Sequence, residues 1–156
     1  MDITSLQNDR IKHLVKLRDE KRQRQRDGLM LVEGRDEILL AIAAGFIPRT
    51  TITCPDMTAV PFALEGVESL SVTAPVFEKV SYRDNPDGWL AIFPIPQRTL
   101  NDIRLPENPL VIVAESVEKP GNVGAILRTA DAAGVDAQLV CDPRADVYGP
   151  NVVRAS

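Results

Sequence analysis

Near the N-terminus, apolar positions recur at helical spacing and then cease. Ile11, Leu14, Val15 and Arg18 fall at i, i+3, i+4 and i+7. Asn8 or Asp9 offers an N-cap and Gly28 suits a C′ position, so the pattern predicts one helix over residues 8–27. Its first half is amphipathic. Lys21 to Arg26 has no apolar stripe to bury and is expected to project into solvent or onto a partner. Leu29-Met30-Leu31-Val32 reads as a strand, followed by Glu33-Gly34 and a helix from Arg35 to Ala44 that Gly45 stops. Further strands are predicted at Thr50–Thr53, Leu70–Val72 and Trp89–Phe93, with a short helix at Ala74–Val80.

Pro94-Ile95-Pro96 and the stretch from Asn101 to Pro109 break every periodic pattern and read as a linker. This divides the chain into a domain over 1–97, a linker over 98–109 and a second unit over 110–156. The second unit opens on Leu110-Val111-Ile112-Val113-Ala114, a continuous apolar run of the kind found in parallel strands buried on both faces. A loop from Glu115 to Gly121, a helix from about Asn122 to Ala133 ended by Gly134, and a strand at Ala137–Cys141 complete a βαβ unit with a right-handed crossover. The fold class is α/β.

Composition narrows the class. The 156 residues are 44% hydrophobic and 26% charged, as in ordinary globular proteins, and 12 prolines with 9 glycines do not make a low-complexity chain. The longest apolar run, Ile38 to Ile47, is about half of what a bilayer span requires, and it contains Gly45. The first residues show no signal peptide, and Cys54 and Cys141 form neither a metal-ligand pattern nor a disulfide framework, so a cytoplasmic protein without metal or membrane is expected. The net charge of −4 hides an asymmetry: residues 1–26 hold eight basic and four acidic side chains, the rest ten and eighteen. Because fields reach only about 8 Å at physiological salt, such a basic arm steers a polyanion even when the whole chain is acidic. A solvated helix face accounts for the same charges equally well.

The candidate chemistry lies between Glu115 and Gly134. Pro120-Gly121 forms a turn after a strand, Asn122 caps the following helix, and Gly124 lets its first turn approach another backbone or a ligand closely. A helix N-terminus at the C-terminal edge of a parallel strand is a natural anion site. Arg128 lies 600° around the helix from Asn122, so its long side chain must swing back to share a pocket with it; helical spacing permits this and does not enforce it. A plain βα turn with a capping Asn122 and a surface Arg128 fits the same residues. The dinucleotide fingerprint is not matched.

The run Pro120-Gly-Asn-Val-Gly-Ala-Ile-Leu-Arg-Thr-Ala-Asp-Ala-Ala-Gly-Val135, followed by Tyr148-Gly-Pro-Asn-Val-Val-Arg-Ala-Ser156, resembles the first conserved motif and downstream segment of the SpoU (TrmH-like) RNA methyltransferases, SPOUT-class enzymes with a trefoil-knotted sheet. Upstream, Ser5-Leu-Gln-Asn-Asp-Arg-Ile-Lys12, Leu17-Arg-Asp-Glu-Lys-Arg22, Leu31-Val-Glu-Gly-Arg35 and Asn85-Pro-Asp-Gly-Trp-Leu-Ala-Ile92 are similar to the family's substrate-binding domain, a small α/β fold related to ribosomal proteins of the kink-turn-binding type. The resemblance implies such an RNA-binding domain followed by the first βαβ part of an α/β-knot methyltransferase domain. It also implies methyl transfer from S-adenosylmethionine to a ribose 2′-hydroxyl of rRNA or tRNA, and a homodimer in the full-length protein. In the family the motif's arginine, here Arg128, is assigned as the base, and its asparagine, here Asn122, holds the pocket together. A guanidinium of pKa above 12 is a strange base, so gripping the neighbouring phosphate and stabilising alkoxide charge is the other role open to Arg128. Lys119 stands where an acidic residue is usual.

On this reading the basic helix contacts RNA backbone through Lys21, Arg22, Arg24 and Arg26, with Arg35 next, and each contact would add a salt slope of roughly −0.7 to −0.9. Phe46, Phe62, Phe77, Phe93 and Trp89 are expected to be buried, which leaves few stacking platforms and favours recognition of RNA shape. His13 is expected to be packed or semi-exposed rather than catalytic. The family's later cofactor-binding motifs do not occur in these residues, so S-adenosylmethionine is expected to bind in a following segment, and this chain alone is expected to be inactive with part of the Leu110–Ala114 strand exposed. The alternative is a non-catalytic RNA-binding module of the kink-turn-binding type.

Overall fold

Two runs that are apolar at nearly every position pair with each other in the computed structural model, which describes residues 2–60 and 62–156. They are β2 (Leu29–Glu33) and β5 (Trp89–Pro94), antiparallel with Leu31 opposite Ile92. β5 also pairs antiparallel with β3 (Thr50–Thr53). β3 runs parallel to β4 (Glu68–Val72), and β4 carries the two-residue β1 (Asp2–Ile3) at the edge. The sheet order is β1-β4-β3-β5-β2. β5 inside the sheet and β2 at its edge are both buried on both faces, which is why neither shows polar alternation.

On one face, α1 (Asp9–Asp19) and α4 (Ala74–Val80) cover the sheet. Ile11, Leu14, Leu17, Val76, Phe77 and Val80 meet Leu31, Ile52, Leu70, Leu90 and Ile92 there. Each such side chain contributes about 1.5–3 kcal/mol by leaving water. The buried stripe of α1 ends on Leu17, one residue before the position the spacing suggested. On the other face lies α3 (Arg35–Ala43), of which Ile38 is fully buried, along with Phe93 and the stacked rings of Phe62 and Trp89. Of the aromatic residues expected inside, Phe46 is only half-buried.

The single helix predicted over residues 8–27 is two helices. α1 ends at Asp19, Glu20 adopts an extended conformation (φ −110°, ψ 111°), and α2 (Lys21–Asp27) begins anew, closing on Gly28 in the left-handed conformation at φ 64°. No glycine or proline marks the break. In a continuous helix the carbonyls of Leu17 and Arg18 would accept from the amides of residues 21 and 22. Here both carbonyls accept instead from the guanidinium of Arg24, the Arg18 contact at 2.7 Å. Arg18 does the same for α4, bonding the carbonyls of Lys79 and Ser81 at 2.8 and 3.0 Å. A cation at a helix C-terminus satisfies unpaired carbonyls and complements the helix dipole.

The chain divides into two compact units, Met1–Ile95 and Pro96–Ser156, so the linker-like stretch groups with the second. That stretch holds a 3₁₀ turn at Leu100–Asp102, capped by Thr99. Beyond it, β6 (Val111–Glu115) and β7 (Ala137–Cys141) pair in parallel, joined by α5 (Pro120–Ala132), and α6 (Pro150–Ala155) packs against α5. The apolar run is of the type that is covered on both faces in a larger sheet, and here part of it is exposed, as expected for these residues alone: Val113 is 62% exposed and Leu110 52%. A two-stranded sheet has too little area to cover both sides of its strands. Among the described residues no helix is long and apolar enough to cross a membrane.

Candidate functional site

The basic segment divides by role. Arg22 and Arg26 are exposed and Lys21 half-buried. Arg26 is held by Asp27 at 3.3 Å and by the Gln23 side chain. Arg24 is 5% exposed, and its guanidinium is engaged by the α1 carbonyls. Arg24 is therefore corrected from a candidate phosphate contact to a structural residue. The expectation that Lys21 to Arg26 has nothing to bury fails for the same reason, because Gln23 and Arg24 pack inward while only one side of α2 faces solvent. The remaining exposed cations of this surface are Arg22 and Arg26, together with Lys12, Lys16 and the Glu68-paired Arg10 on α1.

Arg35 belongs to a different construction. Glu33, at the end of β2, accepts from the Ser81 hydroxyl at 2.5 Å and the Tyr82 amide at 2.7 Å. Asp87 accepts from the Arg35 amide at 2.7 Å and the Trp89 amide at 3.1 Å, capping α3 while holding the start of β5. Gly34 sits at φ 108°, where a side chain would collide with Arg83, itself paired with Glu37. The short pieces Leu31–Arg35 and Asn85–Ile92 thus form one joint. On it, the exposed Arg35 guanidinium lies over the Trp89 ring at 5.8 Å.

In the second unit the helix begins two residues earlier than predicted. Lys119 is the N-cap residue and Pro120 opens α5, so Asn122 is not the cap; it is exposed in the first turn, its amide donating to the Lys119 carbonyl at 3.0 Å. Arg128 is also exposed, and its Nη1 donates to the Ala155 carbonyl at 2.9 Å, at the end of α6. A guanidinium has five N–H donors, so this bond leaves the rest of the fork available. Gly124 serves close approach of another backbone: a Cβ there would lie 2.5 Å from the Ala155 Cβ and 3.0 Å from the Val152 carbonyl oxygen. Both strands end in left-handed non-glycine residues, Ser116 (φ 50°) and Asp142 (φ 44°), whose side chains bond each other at 3.0 Å. Nothing in residue type or spacing announced this pair, which fixes where the loop before α5 departs from the sheet.

A groove of about 440 Å³ opens in the first unit between α1 and the sheet. Two of its rim residues, His13 and Asp27, form a close pair, Nε2 to Oδ2 at 2.6 Å. Gln23 donates to the same oxygen, and these bonds, His13 first, then Gln23 and Arg26, lower the Asp27 carboxyl to about 2. An ionised carboxylate only accepts, so Nε2 carries the hydrogen. A depressed folded-state value makes this carboxylate stabilising above its unfolded value near 4, and that contribution disappears as pH falls from about 4 towards 2. Carboxyl ¹³C NMR is expected to show Asp27 titrating near 2, with His13→Ala moving the midpoint upward. A native midpoint near 4 would contradict the pair.

Comparison with known proteins places these elements. Residues 8–91, more than half of the chain, match the MRM3-like substrate binding domain, and residues 109–156 match the SpoU rRNA Methylase family. The chain belongs to the SpoU rRNA methylase family. It is 30% identical to the Bacillus subtilis 23S rRNA (guanosine(2553)-2′-O)-methyltransferase RlmP over 99% of this chain and 60% of that protein. Among solved structures, an RNA 2′-O ribose methyltransferase superposes with a TM-score of 0.81 at 39% identity, covering 99% of this chain and 60% of that one. An AdoMet-bound rRNA methyltransferase from Sinorhizobium meliloti gives 0.86 at 28% identity, over 99% and 59%. The SpoU chain described here spans about 60% of the length of these relatives.

Proposed function

We propose that this chain is the RNA-binding domain, residues 1–97, and the leading part of the catalytic domain, residues 110–156, of an enzyme that transfers a methyl group to a ribose 2′-hydroxyl of rRNA. The reading rests most on one observation: the sequence from Pro120 to Thr129 sits at the start of α5, directly after the loop leaving a parallel strand, in a chain whose two parts match the family in order. S-adenosylmethionine is the methyl donor in this reading. The described residues of the second unit do not themselves make a cradle for it, since its two-stranded sheet leaves Val113 open to solvent; the donor is assigned to the part of the relatives' length that this chain does not span.

Within these residues Arg128 and Asn122 act on the RNA. The 2′-hydroxyl must lose a proton, and a guanidinium is already fully protonated, so Arg128 serves by holding the adjoining phosphate and stabilising negative charge at the oxygen. Asn122, six residues earlier, offers an amide that orients the ribose. Lys21, Arg22, Arg26 and Arg35 meet the RNA backbone. The same reading takes the full-length protein as a cytoplasmic homodimer. Mapping ribose 2′-O-methylation in cells with the gene deleted is expected to reveal one lost methyl group in rRNA. An unchanged rRNA and tRNA methylation pattern would favour the non-catalytic RNA-binding module.

A further inference from the structure

The groove beside α1 combines three features that rarely meet by accident. Its floor is apolar, made by Leu14, Leu29, Leu70 and Ile92. Its rim carries two carboxylates with lone pairs to spare: Asp27, and Glu68, which accepts from Arg10 at 2.6 Å and from Thr50 at 3.2 Å. At the mouth stands Arg49, exposed, whose charge, after the hydrogen bond and charge of Arg10, helps hold the Glu68 carboxyl below its usual value while its N–H donors stay open to solvent. A guest that satisfies all three needs an anionic group for Arg49, a flat apolar body for the floor, and N–H donors for the carboxylates. Inorganic phosphate supplies only the first, and a hydrocarbon chain only the second. A nucleotide supplies all of them, and about 440 Å³ is within the usual range of small-ligand sites.

Position points the same way. Asp27 is shared between His13, which lines the groove, and Arg26, which belongs to the exposed cationic surface of α1 and α2. An RNA strand crossing that surface passes the groove's rim. Four of the seven aromatic side chains, Phe62, Phe77, Trp89 and Phe93, are buried, so the first unit has few rings on which to stack a base in the open. The imidazole of His13 and the Leu–Ile floor provide a half-open substitute.

We propose that the groove bounded by Arg10, His13, Arg49 and Glu68 binds one unstacked nucleotide of the RNA, phosphate at Arg49 and base against the apolar floor. This rests on the reading that the first unit handles RNA, and it adds a base-accepting site to a surface otherwise limited to backbone contacts. The test is amide NMR of the 156-residue chain titrated with the four nucleoside 5′-monophosphates, with ribose 5-phosphate and inorganic phosphate alone as controls. The monophosphates are expected to shift His13, Leu14, Thr50 and Leu70 saturably, with the controls at least about tenfold weaker, and Arg49→Ala to weaken them about tenfold while leaving the melting temperature unchanged. No saturable shift at about 10 mM, or equal shifts from phosphate alone, overturns the proposal. An RNA hairpin that still binds in a salt-dependent way, unaffected by Arg49→Ala, would overturn the groove while sparing the RNA-binding reading. A chain that binds no RNA at all would overturn both.

Discussion

In cells whose only copy of the gene carries Arg128→Ala, the ribose methylation proposed above is expected to fall at least about a hundredfold in rate, because removing one donor aimed at developing oxyanion charge typically costs 10²–10³. RNA affinity is expected to change little, by less than about fivefold, since one phosphate contact among several is lost. The two readouts separate roles. Loss of binding with proportionate loss of methylation would make Arg128 an ordinary backbone contact, and wild-type methylation in the variant would remove it from the chemistry. Stability is a third readout, because Arg128 Nη1 bonds the Ala155 carbonyl. Arg128 is exposed, so a melting temperature lowered by more than a few degrees would mean that the arginine chiefly holds α6. Arg128→Lys keeps the charge but loses the planar fork, and is expected to recover binding more fully than methylation.

The elements that sequence spacing located are those whose pattern is set locally. Thr50–Thr53, rich in β-branched residues, and Ala74–Val80, with Pro75 in its first turn, keep their predicted bounds, and Gly28 and Gly45 stop their helices with positive φ. What sequence spacing missed depends on partners far along the chain. β1 is two residues long, too short for any period, and exists because β4 offers it a parallel edge. At the break at Glu20, Arg24 folds back onto carbonyls that propensity would have left inside one helix. α6 gave no periodic signal in six residues, and it is held by the notch that Gly124 leaves in α5. The candidate site divides likewise. Asn122 and Arg128 were identifiable from a motif that stays on one helix, whereas the Glu33–Asp87 joint and the His13–Asp27 pair each join residues that no local spacing connects.

Arg24→Ala is expected to destabilise the first unit by roughly 2–4 kcal/mol, lowering its melting temperature on the order of 10 °C, with little direct effect on RNA affinity at temperatures where the variant stays folded. The side chain is 5% exposed, and its guanidinium is the partner of two carbonyls at the end of α1. Deleting it leaves those acceptors and the space around them unsatisfied, and a lost hydrogen bond to a charged group costs more than a neutral one. Arg22→Ala, two residues away on the exposed side of the same short helix, is expected to do the opposite: unchanged stability, weaker RNA binding, and a salt slope reduced by about 0.7–0.9. The pair discriminates because both substitutions remove one positive charge from the same seven-residue helix, so any long-range field effect is common to them. If Arg24→Ala melts like the wild type and lowers the salt slope as Arg22→Ala does, α2 is a uniform phosphate-binding arm and the break at Glu20 has another cause. If the two diverge as expected, one of the four cations between Lys21 and Arg26 is folding machinery, and the proposed RNA surface is built from fewer cations than the sequence suggests.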